Sequence, residues 1–310
     1  MVSELPEPVP DAGEVLIDVA AAGVNRADVL QRRGRYPPPP GAPSWPGLEC
    51  AGVIAAVGLD VTGWNVGDRV AALLDGGGYA ERAVAPAAQL LAVPDEVDLA
   101  AAAALPEAVC TAWSNLFMVA RLRAGEFLLV HGGSGGVGTV ATQLAAARGA
   151  RVATTAGSPE RVARCLELGA ELGIDHTCQD FVAEVLDAAG GRGANVILDV
   201  VGAAYLDRNL KALAPDGRLV VIGLQQGRRA EVDLGLLLAR RTSIHGTTLR
   251  YRPASQKAAI VSEVAAQAWP LLTDGLLRPV VHATLPLANA GEAHRLLESG
   301  EVFGKVVLTP

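Results

Sequence analysis

Phe127-Leu-Leu-Val-His-Gly-Gly-Ser-Gly-Gly-Val-Gly138, continued by Thr139-Val-Ala-Thr-Gln-Leu-Ala-Ala-Ala-Arg-Gly149, reads as a strand, a glycine loop and a helix. Phe127 to His131 is short, apolar and closed by glycines, the pattern of a strand buried on both faces. From Thr139 the apolar positions Val140, Leu144 and Ala147 recur at helical intervals until Gly149 stops the helix. Gly133, Gly135 and Gly138 have the G-x-G-x-x-G spacing, which permits a tight turn, a backbone close to a pyrophosphate and a helix packed tightly on its strand. Ser134, Gly136 and Val137 complete that loop, and the helix's amino end offers free N–H groups to the anion. The competing reading is a glycine-rich loop without function; the strand-then-helix context that the motif requires speaks against it.

Outward from this stretch, strands are expected at 151–155, 172–175, 195–200, 218–223 and 242–247, with helices between most of them. That alternation means an α/β fold with a doubly wound parallel sheet covered on both faces. Before it, 14–22, 48–57 and 70–74 read as strands of a different, glycine-punctuated region. Arg35-Tyr-Pro-Pro-Pro-Pro-Gly41 is stiff polyproline and holds Tyr36 on a rigid loop. After Arg250-Tyr-Arg-Pro253 the alternation stops, and the elements at 255–272, 280, 288–298 and 305–308 are expected to return to the first region, leaving a cleft. The domains are therefore placed at 1–106 with 253–310, and at 107–252.

A chain of 310 residues that is half hydrophobic has enough apolar material for two cores. Its net charge of −7 argues against nucleic acid or an anionic membrane as the main partner. Met1 to Glu14 lacks an apolar leader segment and no stretch has the length of a membrane span, so a cytoplasmic protein is expected. The four cysteines, 50, 110, 165 and 178, are far apart and read as inert thiols.

An NAD-binding fold places an acid about 20 residues beyond its glycines to hold the ribose hydroxyls. Here the second strand ends Thr154-Thr-Ala-Gly157-Ser158, followed by Arg161 and Arg164, so a 2′-phosphate is favoured and NADPH is the expected cofactor. The two arginines read otherwise as the solvated face of a surface helix. Two loops at strand carboxyl ends, Asp199-Val-Val-Gly202 and Ile222-Gly223-Leu224-Gln-Gln-Gly227, lie where such sheets bind the nicotinamide; as plain turns they would look the same.

Taken together, Ala22-Gly-Val-Asn-Arg-Ala-Asp28, Gly34-Arg-Tyr-Pro37, Gly47-Leu-Glu-Cys-Ala-Gly52, Val66-Gly-Asp-Arg-Val70, the glycine loop, Ala156-Gly-Ser158 and Gly304-Lys305 resemble the medium-chain dehydrogenase/reductase superfamily. The resemblance is to its zinc-independent quinone oxidoreductase branch, related to zeta-crystallin, and runs from Glu14 to Leu308. It implies a Rossmann domain plus a GroES-like, mostly β substrate domain. Asn25 and Leu48 stand where zinc alcohol dehydrogenases carry a cysteine and a histidine ligand, and neither can replace them, so no metal is expected. Without a Lewis acid the hydride acceptor must itself be electrophilic, such as a quinone or an enone.

The same resemblance implies catalytic roles for Asn25 and Tyr36 beside the nicotinamide, with Thr111 and Glu107 nearby and Lys305 among the cofactor contacts. By local chemistry alone Asn25 also reads as a turn residue, Tyr36 as loop packing and Glu107 as a helix-start residue favoured by the dipole. His176 stands where relatives carry a tyrosine against the 2′-phosphate, and Arg161 stands for their lysine. It implies a homodimer joined edge to edge near 242–248. Relatives usually carry a hairpin before the segment matching Val2 to Pro10, so a shortened amino terminus is expected. The expected activity is NADPH-dependent quinone reduction. The alternatives are a 2-alkenal or enoyl-thioester reductase and a crystallin-like or RNA-binding protein without turnover; the acidic charge and the lack of aromatic-rich basic patches speak against RNA.

Overall fold

The computed structural model describes residues 4–310; residues 1–3, where the expectation of a shortened amino terminus begins, lie outside it. The chain forms two compact units, Met1–Cys110 with Leu249–Pro310, and Thr111–Thr248.

In the first unit the strands are β1 (Glu14–Val24), β2 (Glu49–Val57), β3 (Arg69–Leu73), β4 (Arg82–Pro86) and β5 (Leu90–Ala92). Near the end of the chain, β12 (Val281–Pro286) and β13 (Lys305–Thr309) join the same sheet, whose order is β12-β13-β1-β2-β3-β5 with β4 also on β1. Alternating residues of β1 such as Val15, Ile17 and Val19 face a core shared with Ile54, Val70 and Ala83. Antiparallel pairing sets Ala22 opposite Cys50 on one side and Val24 opposite Val306 on the other. This register brings the end of β1 together with the starts of β2 and β13. The short strands β4 and β5 have no counterpart in the sequence reading; five and three residues carry too little periodicity to be read.

In the second unit, β6 (Phe127–His131), β7 (Arg151–Ala156), β8 (Leu172–Asp175), β9 (Ala194–Asp199), β10 (Leu213–Val221) and β11 (Ser243–Gly246) form a parallel sheet ordered β11-β10-β9-β6-β7-β8. The chain order reverses between β6 and β9, and ligands bind such sheets outside the carboxyl ends at that reversal. Phe127, Leu129, Ala153, Ile197 and Leu219 pack into its core. β10 starts five residues earlier than the expected strand. Its first part, through Asp216 with φ +60, is irregular before pairing resumes at Arg218.

Candidate active site

At the reversal point the loop after β6 turns through Gly132, at φ +71, and its amides are anchored to β7: Gly132 N–H donates to Thr155 Oγ1 (3.2 Å) and Gly133 N–H to Thr155 O (2.9 Å). A Cβ at Gly133 would lie 2.6 Å from Thr154 Cβ, and one at Gly138 would collide with the Gly132 carbonyl. Both glycines are therefore required by packing of the loop on its strand and helix. Gly135 is different, since a Cβ there meets only Gly132 O, at 3.4 Å. Ser134 is buried in the loop, while Gly135, Gly136 and Val137 keep partly exposed surface at the start of the helix Gly136–Ala147. The first-turn amides of that helix have no acceptor within it. A concave turn with unpaired donors and open space above Gly135 fits a dinucleotide pyrophosphate.

The glycine loop is held from beneath by His131, which sequence reasoning left without a role. Its Nε2–H donates to Asn209 Oδ1 (2.7 Å), and its Nδ1 accepts from Thr155 Oγ1 (3.1 Å), the atom that also receives Gly132 N–H. Phe181 and Tyr205 pack edge-on against the ring. Burial pushes the imidazole down to about 4, so it is neutral in the folded protein.

At the ends of β7 and β8 the structure brings Gly157 and His176 together, with an added Gly157 Cβ 3.5 Å from His176 Nε2. Ser158 caps the helix Pro159–Glu167, accepting from the Arg161 N–H at 3.4 Å. Two acids also stand here. Asp175 is occupied by the Thr177 N–H and hydroxyl (3.0 and 2.6 Å), and the exposed Glu160 carboxylate is lowered by a bond to Ser158. Beyond β9, buried Asp199 accepts from Val201 and Gly202 N–H (2.7 and 3.1 Å) and shapes that loop. Gly202, at φ +85, lies under Leu224 and Gly227, and Gly223 lies against Val200 O. The two loops thus interlock and leave the Leu224 side chain exposed. Thr111 accepts the Asn115 amide at its carbonyl (2.8 Å).

The first unit holds a buried polar network at the strand ends described above. Asn25 follows β1 and caps the helix Arg26–Arg32, its N–H donating to Asp28 Oδ2 (2.8 Å). Its side-chain Nδ2 donates to Glu49 Oε1 (2.7 Å), and its Oδ1 accepts from Lys305 Nζ (2.6 Å). Glu49 also accepts from Lys305 Nζ (2.5 Å) and, at its other oxygen, from Glu107 N–H (2.8 Å). Lys305, assigned to the cofactor by resemblance, is placed in this network, only 5% exposed. Behind it, buried Asp28 accepts from Gly47 N–H (2.9 Å) and Tyr79 O–H (3.2 Å), and Tyr79 meets His294 Nε2 (3.1 Å). Burial pushes Asp28 up to about 6, against the pull of the Gly47 and Asn25 amides. Burial also pushes Glu107 up to about 8, with the nearby Glu49 charge next in weight.

Tyr36 belongs to a second cluster of the same unit. The Arg250 guanidinium lies 5.5 Å over its ring and donates to its carbonyl (3.4 Å), while Tyr251 meets the ring edge-on at 5.1 Å. Tyr251 O–H donates to Pro37 O (2.7 Å), so the polyproline loop is tied down at Tyr36 and Pro37, while Arg250 Nε is itself held by Asp75 O (2.7 Å). Sequence reasoning missed Glu49, Asp28, Tyr79, His294 and Arg250. The one legible signal was a charged residue, Glu49 or Lys305, opening an otherwise apolar strand. Among the described residues no three His, Cys, Asp or Glu side chains converge as a metal site, and none of the helices is long and apolar enough to cross a membrane.

Comparison with known proteins agrees with this architecture. Residues 11–95 match the alcohol dehydrogenase GroES-like domain, and residues 136–266 match the zinc-binding dehydrogenase family. The chain is 34% identical over 311 residues to a quinone oxidoreductase of Rattus norvegicus, covering 99% of this chain and 92% of the relative. A mycobacterial protein solved in complex with NADPH superposes with a TM-score of 0.89 at 33% identity, over 99% of this chain and 95% of that one. The CurK enoyl reductase superposes at 0.87 and 29% identity, over 99% and 94%. With both of its units matched and nearly its whole length aligned at a third identity, the chain belongs to the quinone oxidoreductase family of medium-chain dehydrogenases/reductases.

Proposed function

We propose that this chain is an NADPH-dependent oxidoreductase that reduces quinones without a metal ion. The observation that carries the reading is the cradle in which Gly133 and Gly138 are packed, Gly135 is open and the first-turn amides of the helix Gly136–Ala147 have no acceptor within it, an arrangement that suits a pyrophosphate. The solved NADPH complex of a relative supports the choice of dinucleotide. Ser158, Arg161 and His176 offer hydroxyl and cationic or neutral donors for the ribose end, and the glycines at 202 and 223 let the backbone approach the ring. When bound, the dinucleotide supplies a hydride.

The Asn25 amide is oriented by charge: its oxygen faces Lys305, which only donates, and its nitrogen faces Glu49, which only accepts. Its second N–H remains for a substrate oxygen, where it stabilises the negative charge that builds as hydride arrives. Metal independence is supported by the same pair of bonds, since an amide so committed and an apolar Leu48 are not zinc ligands. The second reading, an enoyl-thioester or 2-alkenal reductase, is favoured by the likeness to the CurK enoyl reductase. A homodimer joined through β11 is supported by that strand's open edge and by exposed Leu234, Leu238 and Ile244 beside it.

The test is the initial rate of NADPH oxidation with an ortho-quinone, beside NADH and with a chelator. A rate selective for NADPH and indifferent to chelation is expected. A rate only with enals or enoyl thioesters establishes the second reading, and loss of rate on chelation overturns the metal-free site.

A further inference from the structure

We infer that Glu107 is the acid that delivers the proton accompanying hydride transfer, which makes it a catalytic residue of the proposed reductase; this rests on the reading above. Two carboxylates meet at the end of β2 and they are treated differently. Glu49 is wholly buried and its oxygens accept from three donors, Asn25 Nδ2, Lys305 Nζ and Glu107 N–H. The Glu107 backbone is thereby pinned, 2.8 Å from one Glu49 oxygen, while the other takes the Asn25 amide. The Glu107 carboxyl itself has no hydrogen-bond partner among the described residues and keeps part of its surface open. A carboxyl with a purely structural role, such as Glu49, has both of its oxygens taken by donors. This one is left with its oxygens available.

The charged and titratable groups that interact with it electrostatically are Glu49 from β2, Lys305 from β13, Asp28 from the helix Arg26–Arg32, Arg250 from the segment after the second unit, and Cys110 from its own helix. Burial and Glu49 outweigh the two cations, so the group still holds its proton at neutral pH. A raised carboxyl beside one committed to donors is a usual arrangement for dividing acid and electrostatic roles.

A hydride, two electrons and one proton, adds to the quinone and leaves an oxyanion. The Glu107 O–H bond breaks, its proton forms an O–H bond with that oxyanion, and the hydroquinone departs. Glu107 is left as a carboxylate and regains a proton from water. With an enone, hydride adds at the β-carbon and the same proton goes to the enolate.

Glu107→Gln keeps the shape and removes the acidic proton. Its kcat with quinone or enone is expected to fall about 100-fold or more, with NADPH binding by fluorescence titration unchanged. Wild-type kcat is expected to decline above pH about 8 and the variant to lack that limb. Glu107→Asp is expected to retain the limb. Unaltered kcat and an unaltered limb in Glu107→Gln overturn the assignment. An infrared difference spectrum between wild type and Glu107→Asp at neutral pH reads the protonated carboxyl without turnover. Its absence overturns the assignment even where the wild type reduces quinones. A wild type that shows the protonated carboxyl but oxidises NADPH with no acceptor removes the functional reading alone.

Discussion

Lys305 Nζ lies 2.5 Å from Glu49 Oε1, and the two side chains are 6% and 0% exposed. They are 256 positions apart in the chain and meet because β13 and β2 flank the same end of β1. Gly23 lets them do so, since a Cβ at that position would collide with Glu49 Oε1 and lie 2.6 Å from Ala103 O. The pair orients Asn25, so a contact between distant strands sets the geometry of a candidate catalytic amide.

Lys305→Met leaves the Glu49 carboxylate buried without its cation. A loss of about 3–5 kcal/mol in urea unfolding is expected, the scale for a broken buried pair. Adding Glu49→Gln to that variant removes the stranded charge and is expected to restore part of the loss. Equal losses in the single and double variants would show that the ion pair is not the source.

His131 makes a prediction about acid. The unfolded chain binds a proton on it near pH 6.5 and the folded chain only near pH 4, so the unfolded state holds the extra proton between those values. The contribution of His131 to stability therefore falls as pH is lowered through that window, by about 3 kcal/mol in full. His294 shares the window, whereas Asp28 and Asp199, pushed up to about 6, and Glu107, pushed up to about 8, act in the opposite direction. The diagnostic quantity is the stability difference between wild type and His131→Phe. It is expected to be large at pH 7.5 and to narrow by that amount toward pH 4, in parallel denaturant titrations.

What the sequence made legible was local. The β6 strand, its loop and the helix after it lie within 21 consecutive residues, and each step has a short-range cause: apolar run, absent Cβ, helical spacing. The Asn25–Glu49–Lys305 network was not legible, because its partners meet only through strand register. The Arg250–Tyr36 contact likewise joins residues 214 positions apart. At the ribose end the neutral, hydroxylic reading of 154–158 overlooked Glu160 and Asp175, one brought in by a helix turn and the other by the neighbouring β8.

The open edge at β11 predicts an oligomer. Leu234 and Leu238 stand four residues apart on the helix Leu234–Arg240, and Ile244 lies on the edge strand. Light scattering is expected to give twice the chain's mass. Leu238→Glu combined with Ile244→Lys is expected to halve it, since both place charge on a surface that a second copy would bury. A monomeric wild type removes the proposed dimer.

The glycine loop separates packing from ligand binding. At Gly138 an added methyl collides with the Gly132 backbone, which cannot move without dragging the end of β6 with it. Gly138→Ala is therefore expected to lower thermal stability and NADPH affinity together. At Gly135 the backbone is extended, φ −82, and a methyl meets only Gly132 O at 3.4 Å, so the fold has room for it. That methyl would instead occupy the space above the helix amides where the pyrophosphate belongs. Gly135→Ala is expected to raise the KM for NADPH about tenfold or more, a loss of about 1.4 kcal/mol in binding, while the melting temperature stays at the wild-type value. Calorimetry and initial rates on the two variants read the two effects separately. A Gly135→Ala protein that binds NADPH as tightly as wild type would mean that the pyrophosphate lies elsewhere.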